Sequence, residues 1–184
     1  MSDARSRVRD HLIVHSVRRG DFTLKSGRQS NWFIDSKRTI LAPEAMVDVA
    51  TLVLERIPVD ATALGGLTMG ADGVSFVTAG VAATRGRELR AFSVRKEEKD
   101  HGAGGRIAGA LLAGDRVVIT EDTVTRGTSP LEAARVVTEF GAQVVLILAV
   151  VDRGGTAAAQ STEAGWRFDS LFTAPDLGFD YEGA

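Results

Sequence analysis

Residues 116–141, RVVITEDTVTRGTSPLEAARVVTEFG, constrain the fold more than any other part of the chain. They open with a continuous β-branched run, Val117, Val118 and Ile119, the pattern of a strand covered on both faces. Two adjacent acids follow, Glu121 and Asp122, and then a loop of small and hydroxyl-bearing residues, 123–129. A helical pattern comes next with its own start signals. Ser129 stands in the N-cap place, Pro130 fits the first helical position, and Glu132 sits where a capping box wants a carboxylate. Gly141 is a natural stop. The unit is strand, loop, helix, with the loop at the strand's carboxyl end, where ligands sit in an open α/β sheet.

The loop's chemistry points to phosphate. Small residues let backbone N–H groups approach an anion, and the helix N-terminus adds free donors and a positive dipole end. Thr125, Thr128 and Ser129 add hydroxyls. The acids just upstream do not suit a bare phosphate site. They suit a ligand that also carries sugar hydroxyls, or a divalent metal. The expected ligand is therefore a phosphorylated sugar. An ordinary βα turn with solvated acids gives no reason for strand, acid pair, hydroxyl loop and capped helix to coincide. The text ITEDTVTRGTS resembles the phosphoribosyl-pyrophosphate (PRPP) motif of the type I phosphoribosyltransferases: hydrophobic residues, two acids, a short spacer, Thr, a small pair, then Thr or Ser.

Composition bounds the rest. At 184 residues, 44% hydrophobic and 25% charged, the chain reads as one globular domain with a real core. A formal net charge of −2 offers no bulk attraction for nucleic acid or an anionic membrane. Without cysteine there is no disulfide scaffold, thiolate nucleophile or Cys-based zinc site. The opening MSDARSRVRDHL lacks the apolar stretch of a signal peptide, and no run has the ~20 apolar residues of a membrane span, so a cytoplasmic location is expected.

Taken in order, 4–18 reads as a helix with Val8, Leu12, Val14 and Val17 on its apolar face, ended by Gly20. His11 and His15 lie one turn apart, a metal-capable spacing with neither an HExxH pattern nor a third ligand beside it. In FTLKSGRQSNWFID, Phe22, Leu24, Trp32 and Ile34 alternate with polar residues around Gly27, which predicts a hairpin. Lys25, taken alone, is a surface lysine. Residues 43–56 read as a second helix with Pro43 in its first turn and Ala45, Val49, Leu52 and Val53 buried. A short strand, 61–64, leads through GGLTMG to a helix over 71–84, and 89–94 is another strand. The loop RKEEKDHGAGGRIAG, 95–109, gathers Arg95, Lys96, Lys99 and His101 among glycines. Few apolar anchors predict a mobile segment whose cations can fold over an anionic ligand. GAGG is not a dinucleotide fingerprint, because the third glycine and the following helix are missing. Residues 143–151 form a long apolar strand closed by Asp152-Arg153-Gly154-Gly155, where an arginine can clamp a carboxylate or pair with Asp152. A last strand is expected at 166–172; the tail, 175–184, carries no signal.

Two of these segments resemble one branch of the superfamily. FTLKSGRQSNWFID is similar to the N-terminal signature of the orotate phosphoribosyltransferase family, FTLxSGxxSxxYID, and RKEEKDHG is similar to its catalytic loop, RKxxKxHGxG. The resemblance implies an α/β, Rossmann-like open and mainly parallel sheet flanked by helices, with a small N-terminal hood. It implies a single domain, 1–184, with the hood at about 20–40 plus the C-terminal segment and the core at about 43–155. It implies transfer of ribosyl 5-phosphate from PRPP to orotate, giving orotidine 5′-monophosphate and pyrophosphate in pyrimidine synthesis. Lys25, Lys99 and His101 take the catalytic roles. PRPP falls to Arg95, Lys96, Lys99, His101, Glu121, Asp122, Thr123, Val124, Thr125, Arg126, Gly127, Thr128 and Ser129, and orotate to Phe33, Ile34, Thr125 and Arg153. Magnesium is the implied cofactor, held mainly through PRPP rather than by protein ligands. The partner is a second copy, a homodimer in which loop 95–109 completes the neighbouring site. Many orotate enzymes carry a pyrophosphate-binding lysine after the 61–64 strand, where this chain has Met69. Two other functions share the central motif: transfer to a different base, and PRPP sensing by a regulator without turnover.

Overall fold

A computed structural model describes residues 3–23, 27, 29–98 and 105–182. Helix α1 (Asp3–His11) continues as a π-helical turn over Leu12–Ser16 and passes directly into β1 (Val17–Thr23). Strand β2 (Gln29–Ile34) runs back antiparallel to it, and the pair forms a separate two-stranded sheet. Then come α2 (Lys37–Ile40), α3 (Met46–Arg56), β3 (Ala63–Leu67), α4 (Gly70–Thr84), β4 (Arg90–Val94) and β5 (Ile107–Gly109). The second half holds β6 (Arg116–Val124), α5 (Thr128–Glu139), β7 (Gln143–Asp152), α6 (Ala157–Glu163) and β8 (Phe168–Thr173), followed by a 3-10 turn at Pro175–Leu177.

The main sheet has the order β5-β4-β3-β6-β7-β8, parallel throughout except for β5. This is the open, mainly parallel sheet that the β-branched runs require. Alternation along β6 assigns its two faces. Val118 packs with Leu64, Val49, Leu52 and Val74 on the side of α1, α3 and α4, whereas Val117 and Ile119 pack with Leu131, Ala134 and Val137 of α5. All three residues are fully buried, each contributing about 1.5–3 kcal/mol of burial. The chain leaves β3 toward β4 on one side and β6 toward β7 on the other. The crevice between β3 and β6 is thus the topological switch point, and the loops after both strands open onto it.

Several local expectations are corrected. The first helix ends at Ser16, because the RRGDFT segment pairs with β2, and Gly20 lies inside β1 with φ 148°. The π-helical turn takes Val14 off the apolar stripe, leaving it 70% exposed. The second helix begins at Met46, not Pro43, since Ala45 and Met46 both donate to the Ala42 carbonyl in a turn that precedes it. The cationic loop is shorter than 95–109, because Ile107–Gly109 pairs antiparallel with β4. Its base is held by Arg106, which donates from Nε to the Arg95 carbonyl at 2.8 Å and pairs with Glu132. Residues 99–104, with Lys99 and His101, and likewise Lys25, lie outside the described residues.

Candidate active site

A cavity of about 620 Å³ opens at the carboxyl end of β6. Its floor is the loop between β6 and α5, with Thr123, Val124, Thr125, Arg126, Gly127, Thr128 and Ser129 all lining it. Its roof comes from the hairpin, through Arg18, Phe22, Thr23 and Phe33. Arg18 and Phe33 are register partners across β1 and β2, which puts them on one face of the small sheet. Arg153 closes the far side. Three arginines thus converge on the space, against one carboxylate, that of Glu121. The field favours an anionic ligand.

The loop's start differs from the sequence expectation. Gly127, not Ser129, is the N-cap of α5; it adopts a left-handed φ of 81° and its space is bounded by Ala157. Ser129 therefore falls in the first helical turn. Glu132 is drawn away from a capping box by Arg106. Gly127 has no side chain with which to cap the first turn, so among the described residues its N–H donors are left for a ligand in the cavity. The loop is tied to the next βα connection: the Thr125 carbonyl accepts from the N–H groups of Thr156 at 3.1 Å and Ala157 at 3.3 Å, and the Arg153 N–H donates to the Val124 carbonyl at 2.9 Å. The phosphate-type loop and Arg153 are thereby held as one unit.

The acid pair is buried, Glu121 to 5% and Asp122 to 7% exposure. Glycine makes room for it, since a Cβ at Gly70 would run into both carboxylates. Burial pushes the Glu121 carboxyl well above the usual carboxylate range, and the hydrogen bond and charge of Asp122 push it further. Asp122 does not line the cavity. Its side chain turns to α2, where it accepts from Lys37 Nζ and from Ser36 Oγ at 3.3 Å. Burial alone would pull the Lys37 ammonium down; its hydrogen bond to Asp122, aided by the charges of Asp122, Asp35 and Glu121, carries it above its ordinary value. Sequence reasoning passed over Lys37. The only available signal was a lysine two residues beyond the FID text.

Arg153 is 5% exposed and does not pair with Asp152. Its Nη2 reaches Glu182, the Trp32 carbonyl at 3.1 Å and Ser30 Oγ at 3.3 Å, and its guanidinium lies 4.3 Å from the Trp32 ring centroid. Its Nε is buried without a partner among the described residues. Phe33 is 38% exposed and faces the cavity, but the side chain of Ile34 points the opposite way, into the main hydrophobic core, as strand alternation demands. Ile34 can therefore offer a cavity ligand no more than its backbone. Arg95 and Lys96 stand at the base of the cationic loop and do not line the cavity. Met69 is 72% exposed at the mouth of α4.

Comparison with known proteins identifies the family. No family model matches the chain. An orotate phosphoribosyltransferase of Streptomyces avermitilis, however, is 42% identical over 178 residues, 94% of each chain. One from Streptomyces coelicolor is 39% identical over 187 residues, 98% of this chain and all of that one. The chain belongs to the orotate phosphoribosyltransferase family. The fold agrees. An orotate phosphoribosyltransferase of Mycobacterium tuberculosis in complex with PRPP superposes with a TM-score of 0.80 at 30% identity, covering 97% of this chain and 93% of that one. This orotate phosphoribosyltransferase family member has no helix, among the described residues, long and apolar enough to cross a membrane.

The same residues bear on magnesium. Among the described residues no group of three or more His, Asp or Glu could cage a metal. What the cavity offers is one carboxylate at its wall, Glu121, and a second just behind it, Asp122. Magnesium binds through one or two carboxylates plus substrate phosphates and keeps several waters, so this donor set fits a metal that arrives with a phosphorylated ligand.

Proposed function

We propose that this chain transfers ribosyl 5-phosphate from PRPP to orotate, releasing pyrophosphate. The observation that carries the reading is one cavity with a buried arginine at one end and an uncapped helix N-terminus at the other. A phosphate fits the second and a planar carboxylate the first. Glu121 lines the same cavity, with Asp122 just behind it, and carboxylates beside the phosphate loop support a ligand that carries ribose hydroxyls.

The reaction is substitution at the anomeric carbon through an oxocarbenium-like state, so the protein's work is positioning, charge neutralisation and exclusion of water. In this reading residues 123–129 hold the 5-phosphate, and Glu121 and Asp122 accept from the ribose hydroxyls. Phe33, the backbone at Ile34, Thr125 and Arg153 orient orotate. Lys25, Arg95, Lys96, Lys99 and His101 gather charge on the departing pyrophosphate, with Lys99 or His101 donating a proton to it. Magnesium, when bound, would add positive charge against the departing pyrophosphate, and Glu121, with Asp122 behind it, would be the carboxylates to hold it. The β1–β2 hairpin and the C-terminal segment act as a hood over a single-domain core. The family resemblance also supports a cytoplasmic homodimer in which the cationic loop serves the neighbouring site.

Pyrophosphate release from PRPP, measured with orotate, uracil and purines in turn, tests this. Orotate alone should support turnover, and Lys99→Ala should abolish most of it. Preference for another base assigns the chain to a different transferase. PRPP binding without release under any base makes it a sensor.

A further inference from the structure

We infer that Glu182, in the C-terminal segment, is a positioning residue for Arg153 and through it sets the selectivity of the cavity for a base that carries a carboxylate; the inference rests on the orotate reading above. The segment after the 3-10 turn is docked by three independent contacts. The Phe179 ring stacks on Trp32 with centroids 4.5 Å apart and planes 10° from parallel. The Tyr181 ring covers Gly154 so closely that a Cβ there would lie 2.6 Å from it. The Glu182 N–H donates to the Arg153 carbonyl at 2.7 Å. These place the Glu182 carboxylate on Arg153 Nη2, and Ser30 Oγ donates to the same carboxylate at 2.5 Å. Both side chains are nearly closed to solvent, 6% exposed for Arg153 and 11% for Glu182.

The direction of approach decides the role. Arg153 lines the cavity and Glu182 does not; Glu182 lies with Ser30, Trp32 and Tyr181 along a separate groove on the other side. The carboxylate therefore holds the guanidinium from behind and does not occupy the ligand's place. Three acceptors, Glu182, Ser30 and the Trp32 carbonyl, converge on one nitrogen, and the Trp32 ring lies against the guanidinium. Nη1 makes no hydrogen bond to the described residues and is left for a substrate carboxylate, while Nε is buried without a partner among them. An arginine held this way has already lost the rotamer freedom that a bidentate pair otherwise removes on binding. Glu182 also keeps a buried cation from standing uncompensated while the cavity is empty.

The test is steady-state kinetics on the full chain, with orotate and PRPP varied separately and orotate compared with uracil as acceptor. Glu182→Ala should raise the orotate KM about tenfold, leave the PRPP KM within about twofold, and shrink the preference for orotate over uracil by a similar factor. Glu182→Gln, which keeps an acceptor for Nη2, should recover most of the loss, and it decides the matter if the alanine variant does not fold. An unchanged orotate KM in both variants overturns the inference. So does an equal rise in both KM values, the mark of a merely structural tail, or a fall in the orotate KM, which would mean that the tail competes with substrate. A wild-type chain with no orotate turnover removes the functional reading itself; turnover in the wild type with an indifferent Glu182 removes only this inference.

Discussion

The Lys37 ammonium is hydrogen-bonded to the Asp122 carboxylate, so that the short helix α2 braces the acid pair from behind the cavity wall. Ser36 strengthens the brace through Asp122 and, at 2.7 Å, through Thr123 Oγ1. Removing the ammonium leaves a buried carboxylate beside Glu121 with the Ser36 hydroxyl and the Thr123 N–H as partners. Lys37 is 39% exposed, so water screens much of the pair. The expected loss of stability for Lys37→Met is about 1 kcal/mol, a fall in Tm of about 2–4 °C. The larger effect falls on the ligand: the PRPP KM should rise several-fold while the orotate KM stays near wild type. Thermal melts and two-substrate kinetics check both.

Glu121→Gln separates stability from function. The Glu121 carboxyl is raised by burial first and by Asp122 second, which means that its ionised form is disfavoured in the fold. At neutral pH the unfolded chain holds that carboxyl ionised at little cost, and the folded chain does not. Glutamine is neutral in both states. The variant should melt higher than wild type at pH 7, and the difference should shrink as the pH drops. Its kcat/KM for PRPP should nevertheless fall by about tenfold or more, because the acceptor for ribose hydroxyls is weakened. A lower Tm with intact kinetics contradicts the placement of this acid.

Local pattern made the large elements of this chain legible. The β-branched run at Val117 and the apolar run in β7 read as doubly covered strands because α3, α4 and α5 do cover both faces. The hydroxyl loop read as an anion site because its signal is contiguous. The features that were not legible join residues far apart in sequence. Nothing near Lys37 announces Asp122, 85 positions away. Nothing in the tail announces that Phe179 stacks on Trp32 or that Glu182 meets Arg153. Ser129 misled for a local reason: a left-handed glycine two residues earlier starts the helix first, and a distant arginine takes the glutamate of the presumed capping box. Ile34 misled because adjacent strand residues face opposite ways, so a motif that names two neighbours puts only one side chain in the cavity.

Gly127 permits a direct test of the phosphate loop. Its φ of 81° is costly for any residue with a side chain, and an added Cβ would lie 3.0 Å from the Ala157 Cα. Gly127→Ala should destabilise the fold by about 1–2 kcal/mol through backbone strain. It should also tilt the first turn of α5 away from the cavity. Inorganic phosphate, used as a calorimetric probe, should then bind at least several-fold more weakly. Ala157→Gly in the same chain removes the 3.1 Å contact with the Ala157 Cβ but neither the one with its Cα nor the strain, so binding should recover little.

The pH dependence of stability follows from a second acid, away from the cavity. Asp115 is 4% exposed; burial alone would raise it, but the Arg90 guanidinium, the Leu112 N–H and the Thr62 hydroxyl overcome that and hold it below the usual range. Asp48 is lowered in the same sense, chiefly by its hydrogen bond to Arg7. A carboxyl whose folded value is depressed contributes stability that is complete above its unfolded value, near ~3.9, and is lost as the pH falls through the lower folded value. Glu121 and Asp152, both raised by burial, work in the opposite direction at higher pH, and the Glu121→Gln background removes the larger of the two. In that background Tm should fall gently below about pH 6.5, because burial and the His15 charge hold the His11 imidazole below its ordinary value, and should drop steeply below about 4. Asp115→Asn should lower the plateau and flatten the acid limb, since the group that titrates is gone. An acid limb of unchanged steepness in this variant would assign the loss to other carboxylates.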